Sequence, residues 1–144
     1  MKVLLDTSVL VAALVGSHPA HDRALPWLVR AKEGRIDLVV ASHSIAELYA
    51  VLTTLPLSPR ITPGVARRLM QEDIESTATL IALSNAEYLA VVKRMSELGI
   101  PGGAIYDALI VKAAKKAEVK QIVTLNSGDF KRVWPEGKEH IAAP

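Results

Sequence analysis

The chain has 144 residues, half of them apolar, with 17 Lys+Arg against 15 Asp+Glu and no cysteine. That length suits one compact domain, and the missing thiols exclude disulfides, zinc–thiolate sites and cysteine nucleophiles. The net charge of +2 is too small to mark a nucleic-acid binder by itself. No stretch reads as a signal peptide, and Pro, Gly or charge breaks the apolar runs, so the expectation is a cytoplasmic protein without a membrane span.

Lys2-Val-Leu-Leu5 reads as a buried strand ending at Asp6. Val9 to Val15 predicts a short helix or turn, and Ala20 to Glu33 a helix stopped by Gly34. Ile36 to Ala41 is a second buried strand, followed by a helix over Ser42 to Thr54 that Leu55-Pro56 closes. Thr62-Pro63 gives an N-cap with proline in the first turn, for a helix to about Glu75. Thr79 to Leu83 is a weaker strand. Ser84 and Glu87 form a capping box for a helix ending at Gly99. Ile105 to Ala117 is helical, Gln121 to Leu125 a fourth strand, and His140 to Ala143 a candidate fifth. This alternation predicts an α/β fold: a parallel sheet of four or five strands with helices on both faces, in a single domain over 1–144.

The most informative charges are solitary. Asp6 is the only Asp, Glu, Lys or Arg between Lys2 and Asp22, Glu47 the only one between Asp37 and Arg60, and Asp107 the only one between Glu97 and Lys112. Asp129 follows an uncharged run that begins after Lys120. A carboxylate in an apolar tract is expensive to bury unless it is paired or binds a cation. Asp6 ends the first strand, Glu47 lies in the first turns of the helix after the second, Asp107 opens a helix after Pro101-Gly-Gly103, and Asp129 falls in the predicted loop after the fourth strand. Parallel sheets collect ligands at the carboxyl ends of their strands. An oxygen-only donor set selects a hard cation, Mg²⁺ or Mn²⁺.

Each acid also has a purely structural reading. Asp6 can cap the turn at Ser8-Val9, Ser44-x-x-Glu47 matches a capping box, Asp107 can complement a helix dipole, and Asp129 can be a turn residue after Gly128. The four at matching positions carry the argument that no one of them carries alone.

Four segments in this order resemble the PIN-domain family, and within it the VapC-type toxins: Val3-Leu-Leu-Asp6-Thr-Ser8, Ser44-Ile-Ala-Glu47-Leu, Ile105-Tyr-Asp107-Ala-Leu-Ile110, and Val123-Thr-Leu-Asn126-Ser-Gly-Asp129-Phe130. The resemblance implies a PIN-like sheet and a metal-dependent endoribonuclease that hydrolyses RNA phosphodiester bonds. It also implies a homodimer and a cognate antitoxin protein. Asp6, Glu47 and Asp107 map cleanly as catalytic and metal-binding residues. Where many relatives carry a further Asp this chain has Asn126, so Asp129 supplies the fourth charge and Asn126 an amide oxygen. Thr7 and Thr124 are candidates to hydrogen-bond a carboxylate or the phosphate, or are strand-end turn residues.

Lys112, Lys115 and Lys116 follow Asp107 along one helix and are candidate RNA contacts if that face borders the acids; otherwise they are a solvated surface. His43 reads as a surface or capping residue, with substrate contact as the alternative; His18 and His21 read as loop residues and Tyr106 as core. Leu48, Leu52 and Leu55 mark an apolar helical stripe, extended by Tyr49 and by Leu10, Leu14, Leu25, Trp27 and Leu28, that is expected to serve a partner in part. Among rival enzymes, a haloacid-dehalogenase-like site wants an acid where Ser8 stands, and a receiver domain wants a lysine near Leu125. The lack of a Gly-rich phosphate loop disfavours a nucleoside-triphosphate enzyme. The remaining alternative is a PIN-like RNA-binding or scaffold module with little or no catalytic activity.

Overall fold

In the computed structural model, which describes residues 1–144, five strands form one parallel sheet: β1 (Lys2–Leu5), β2 (Asp37–Ala41), β3 (Thr79–Ile81), β4 (Gln121–Val123) and β5 (Ile141–Ala142), in the order β3-β2-β1-β4-β5. The helices are α1 (Thr7–Leu14), α2 (His21–Lys32), α3 (Ser42–Thr54), α4 (Pro63–Met70), α5 (Asn85–Leu98), α6 (Ala104–Lys116) and α7 (Ser127–Val133). A wider π-type turn, Gln71–Glu75, extends α4, and a 3₁₀ stretch, Pro135–His140, leads into β5. No helix is long and apolar enough to cross a membrane.

Strand periodicity explains why the central strands are apolar throughout. Val3, Leu5, Leu38, Val40 and Val123 face a core built with α1–α4. Leu4, Val39, Ala41 and Ile122 face the opposite core, built with α5, α6 and α7. Each residue on β1 has a partner of like polarity beside it, with Leu4 level with Val39 and Ile122 and Leu5 level with Val123. A sheet buried on both faces needs this continuous apolar run. Winding proceeds outward from β1 through β2 to β3, then restarts on the other side with β4, so the winding reverses at the carboxyl ends of β1 and β4. Such a switch point is where α/β sheets leave a crevice.

Several expectations change. The loop after the fourth strand is mostly helix: α7 begins at Ser127, so Asp129 stands in its first turn and not in a loop. His21 opens α2, and its Nδ1 lies 2.8 Å from the Ala12 carbonyl oxygen, so it is not a loop residue. Tyr106 is 52% exposed and not core. Leu10, Leu28, Leu48 and Leu52 are at most 3% exposed, so most of the stripe assigned to a partner is filled by the protein's own helices. The exposed large apolar side chains include two members of that stripe, Tyr49 on α3 and Leu25 on α2, together with Val29 on α2, Val65 on α4, and Tyr88, Leu89 and Val92 on α5.

Candidate active site

β1 delivers Asp6 to the middle of the sheet's carboxyl edge, where it is only 4% exposed. Its extended backbone makes it the N-cap of α1, with Oδ1 accepting from Thr7 N at 2.7 Å. The second oxygen has a different task. Oδ2 accepts from Ser8 Oγ at 2.8 Å and from Thr124 Oγ1 at 2.9 Å. Those hydroxyls are themselves held, because Ser8 Oγ accepts from Leu125 N at 3.1 Å and Thr124 Oγ1 from Asn126 N at 3.0 Å. A carboxylate bonded at both oxygens is held in one rotamer, and the bonds span the β1–β4 switch point while Oδ1 keeps one acceptor position.

Glu47 lies in the second turn of α3, half-buried. The Ser44 capping box does not form: the N-cap is Ala41, and Ser44 is inside the helix with its buried Oγ unpartnered. Burial, first, and Asp6, less strongly, push the Glu47 carboxyl up, while His43 opposes them. His43 Nε2 is 3.1 Å from Glu47 Oε1, yet that buried oxygen accepts no hydrogen bond. The two side chains are therefore close without a well-aligned hydrogen bond.

Asp107 sits in the first turn of α6, beyond the Gly102-Gly103 turn. Its carboxyl is pushed up to about 6, first by burial and then by Asp6, Asp129 and Glu47 in turn. The other three sequence-predicted acids therefore all act on this one. Asp107 also joins two hollows. One, of about 300 Å³, is lined by Asp6, Thr7, Ser8, His18, Glu47, Asp107 and Asn126 with three apolar residues. The other, of about 320 Å³, lies between Gly103, Ala104, Asp107, Asp129 and Arg132. Asp129 is exposed at this outer rim.

The supporting candidates separate. Thr124 orients Asp6, Asn126 lines the inner hollow, and Thr7 Oγ1 is buried with no partner. The three lysines do not line either hollow. Lys116 bonds the Ala82 carbonyl and Glu87, whose carboxyl is held down to about 2 by that bond and then by the Ser84 backbone. Lys115 lies over the Trp134 ring at 5.1 Å, its pKa lowered mainly by burial. With Lys112 and Arg94 it lines a separate cavity of about 70 Å³, much smaller than either hollow beside the acids. The cation beside the acids is Arg132, which the sequence alone did not single out. Its i+3 spacing from Asp129 signals a shared helix face only once α7 is known. Ser8 was likewise missed as an Asp6 partner, although its i+2 position carries the signal.

The donor set is oxygen throughout and suits a hard cation. No three Asp, Glu or His groups surround a single point closely enough to hold an ion as the side chains stand. Burial, Asp6, Asp129 and Glu47 nonetheless raise the proton affinity of Asp107, and burial and Asp6 that of Glu47, so divalent charge in the cleft would relieve that strain.

Comparison with known proteins agrees with this architecture. The family model described as PIN domain matches residues 3–134. "Ribonuclease VapC27" of Mycobacterium tuberculosis (strain ATCC 25618 / H37Rv) is 36% identical over 110 residues, which cover 76% of this chain and 74% of the relative. "Ribonuclease VapC40" of Mycobacterium tuberculosis (strain CDC 1551 / Oshkosh) is 39% identical over 115 residues, 80% of each chain. The fold is shared with VapBC2 from Rickettsia felis, solved bound to a promoter DNA fragment, at a TM-score of 0.68 and 20% identity, covering 100% of this chain and 99% of that one. It is shared also with Mycobacterium tuberculosis VapC20, titled a sarcin-ricin loop cleaving toxin, at a TM-score of 0.68 and 11% identity over 94% and 95% of the two chains. With the motif order, the sheet topology and the family match in agreement, the chain belongs to the PIN domain family.

Proposed function

We propose that the chain is a single-domain, VapC-type endoribonuclease that hydrolyses RNA phosphodiester bonds in the cytoplasm, and that it is the toxin of a toxin–antitoxin pair. The observation that carries this reading is the coupling of four carboxylates, from four different elements, at the sheet's switch point, with Asp107 pushed up to about 6 by burial and by the other three. Asp6, Glu47, Asp107 and Asp129 would hold Mg²⁺ or Mn²⁺. When bound, such an ion supplies Lewis acidity toward the phosphate and lowers the pKa of water. The chain's own residues do the rest. Thr7 N, Ser8 and Thr124 fix Asp6. Glu47 lines the same hollow as Asp6 and Asp107, with His43 3.1 Å from its Oε1. Arg132, at the rim with Asp129, is placed to donate to a non-bridging phosphate oxygen.

The partners proposed are an antitoxin and a second copy of this chain. With Leu48 and Leu52 buried, the open apolar surface for an antitoxin segment is a groove of about 420 Å³ between α3 and α4, lined by Ile45, Ala46, Tyr49 and Met70 with Arg67 and Glu75 at its edges. The test of the catalytic reading is cleavage of a mixed RNA substrate with Mg²⁺ or Mn²⁺, and its loss in EDTA. Full activity in chelator would overturn it. An inert RNA-binding module is the competing reading, and it predicts RNA binding with no cleavage under any metal.

A further inference from the structure

Tyr106 and His43 form a feature that the hydrolytic reading does not use. Their rings are parallel to within 2°, with centroids 5.2 Å apart, an offset stack. They come from different elements, His43 from the start of α3 and Tyr106 from the first turn of α6. Each is tied to a carboxylate: Tyr106 directly precedes Asp107, and His43 lies 3.1 Å from Glu47. An aromatic ring that only filled space would be covered, but Tyr106 is 52% exposed. His43 also borders a shallow hollow of about 90 Å³ with Ile81, Leu83 and Tyr88, so an apolar floor continues past the stack.

We infer that the Tyr106–His43 stack is a platform for an unpaired nucleobase of the RNA strand, next to the scissile phosphate. The inference rests on the ribonuclease reading and specifies how that site grips its substrate. His43 lies 3.1 Å from Glu47 and stacks on Tyr106, so a strand with its phosphate at the carboxylates has this ring pair within reach of a neighbouring base. Every base has a π-face, and single-stranded RNA is held largely by stacking on aromatic and histidine rings. The His43 ring fixes the Tyr106 ring before substrate arrives, so little side-chain freedom remains to be lost on binding. A protein anchor fits the α3–α4 groove better, where apolar side chains line a concave surface in place of a flat exposed ring.

The test compares binding of two labelled strands of equal length and charge, oligoadenylate and the same ribose-phosphate backbone without bases. Binding is followed by fluorescence anisotropy in Ca²⁺, with strand integrity checked on a gel. Wild type should prefer the base-bearing strand. Tyr106→Ala and Tyr106→Leu should weaken that strand's binding roughly fivefold to a hundredfold and leave the base-free strand unchanged, while Tyr106→Phe retains the preference. Equal binding of both strands by wild type, or equal loss on both in Tyr106→Ala, would overturn the platform. So would unaltered RNA binding with a changed oligomeric state, which would make the ring a protein contact. Cleavage of RNA by wild type is scored separately in Mn²⁺. A protein that cuts RNA without preferring bases loses the platform alone, and one that prefers bases but never cuts loses the nuclease alone.

Discussion

Removing the charge of Asp107 should stabilise the metal-free protein at neutral pH. The folded carboxyl lies at about 6 against an ordinary 3.8. In the unfolded chain the group releases its proton near the lower value, so between the two the folded state holds more protons. Stability then falls as pH rises through this window and stays lower above it. The full shift corresponds to about 3 kcal/mol. Asp107 is only half-buried and solvent screens its neighbours, so about 1–2 kcal/mol is the expected penalty. Asp107→Asn should therefore raise Tm in EDTA by roughly 3–8 °C at pH 7.5. The gain should shrink through pH 6 and vanish near pH 4. Mn²⁺ should reverse the order, because ligand binding stabilises only the protein that retains the site. Differential scanning fluorimetry across pH, with and without Mn²⁺, reads both effects. A variant no more stable than wild type at pH 7.5, or a gain that does not vary with pH, would refute the strain that burial and the neighbouring carboxylates place on Asp107.

Asp6→Asn and Glu47→Gln should each lower RNA cleavage by at least about a hundredfold while circular dichroism stays unchanged; an active Glu47→Gln would remove that residue from the site. Arg132→Ala should reduce RNA affinity and lower the slope of log K against log salt by about one phosphate's worth, whereas Lys116→Ala should leave the slope alone; the opposite pattern would return RNA contact to the α6 lysines. Gly137→Ala should destabilise by about 1–3 kcal/mol, because the Trp134 ring occupies the space its Cβ needs; unchanged urea denaturation would refute that packing. Light scattering should find a dimer, and a strict monomer at high micromolar concentration would remove the homodimer from the proposal.

The fold was legible wherever local chemistry and burial agree. Ser42–Thr54 was read to the residue, because the apolar run 38–41 of β2 precedes it and Leu55-Pro56 ends it. The Ser84–Glu87 capping box forms as its spacing predicts, with bonds of 2.9 and 3.2 Å. Helix α7 was invisible because Ser127-Gly-Asp has turn chemistry and Asn126 offers no side-chain cap. Burial of Phe130 and Val133 against the β4 face holds it, and that is a tertiary cause. The Leu48–Leu52 stripe shows the converse limit. A periodic apolar face says that something covers it, and only the packed chain shows that the cover is internal.

At the candidate site, the structural and functional readings of the acids were framed as alternatives, and Asp6 shows that they need not be. A cap requires one carboxylate oxygen, and Oδ1 serves α1. The two hydroxyls on Oδ2, one of them 118 residues away in sequence, contribute nothing to that helix. Glu47 gives the opposite case. Its capping motif is present in sequence yet fails in space, because Ser44 is already inside α3 and its hydroxyl points at no backbone donor. What remains is a carboxylate that burial pushes up, on a helix whose start it does not serve. Asp107 is pushed in the same direction, by burial and then by Asp6, Asp129 and Glu47. Glu47 and Asp107, whose charged forms the fold disfavours, are brought from α3 and α6 to the cleft that Asp6 also lines, an arrangement that the proposed cation accounts for and helix stability does not.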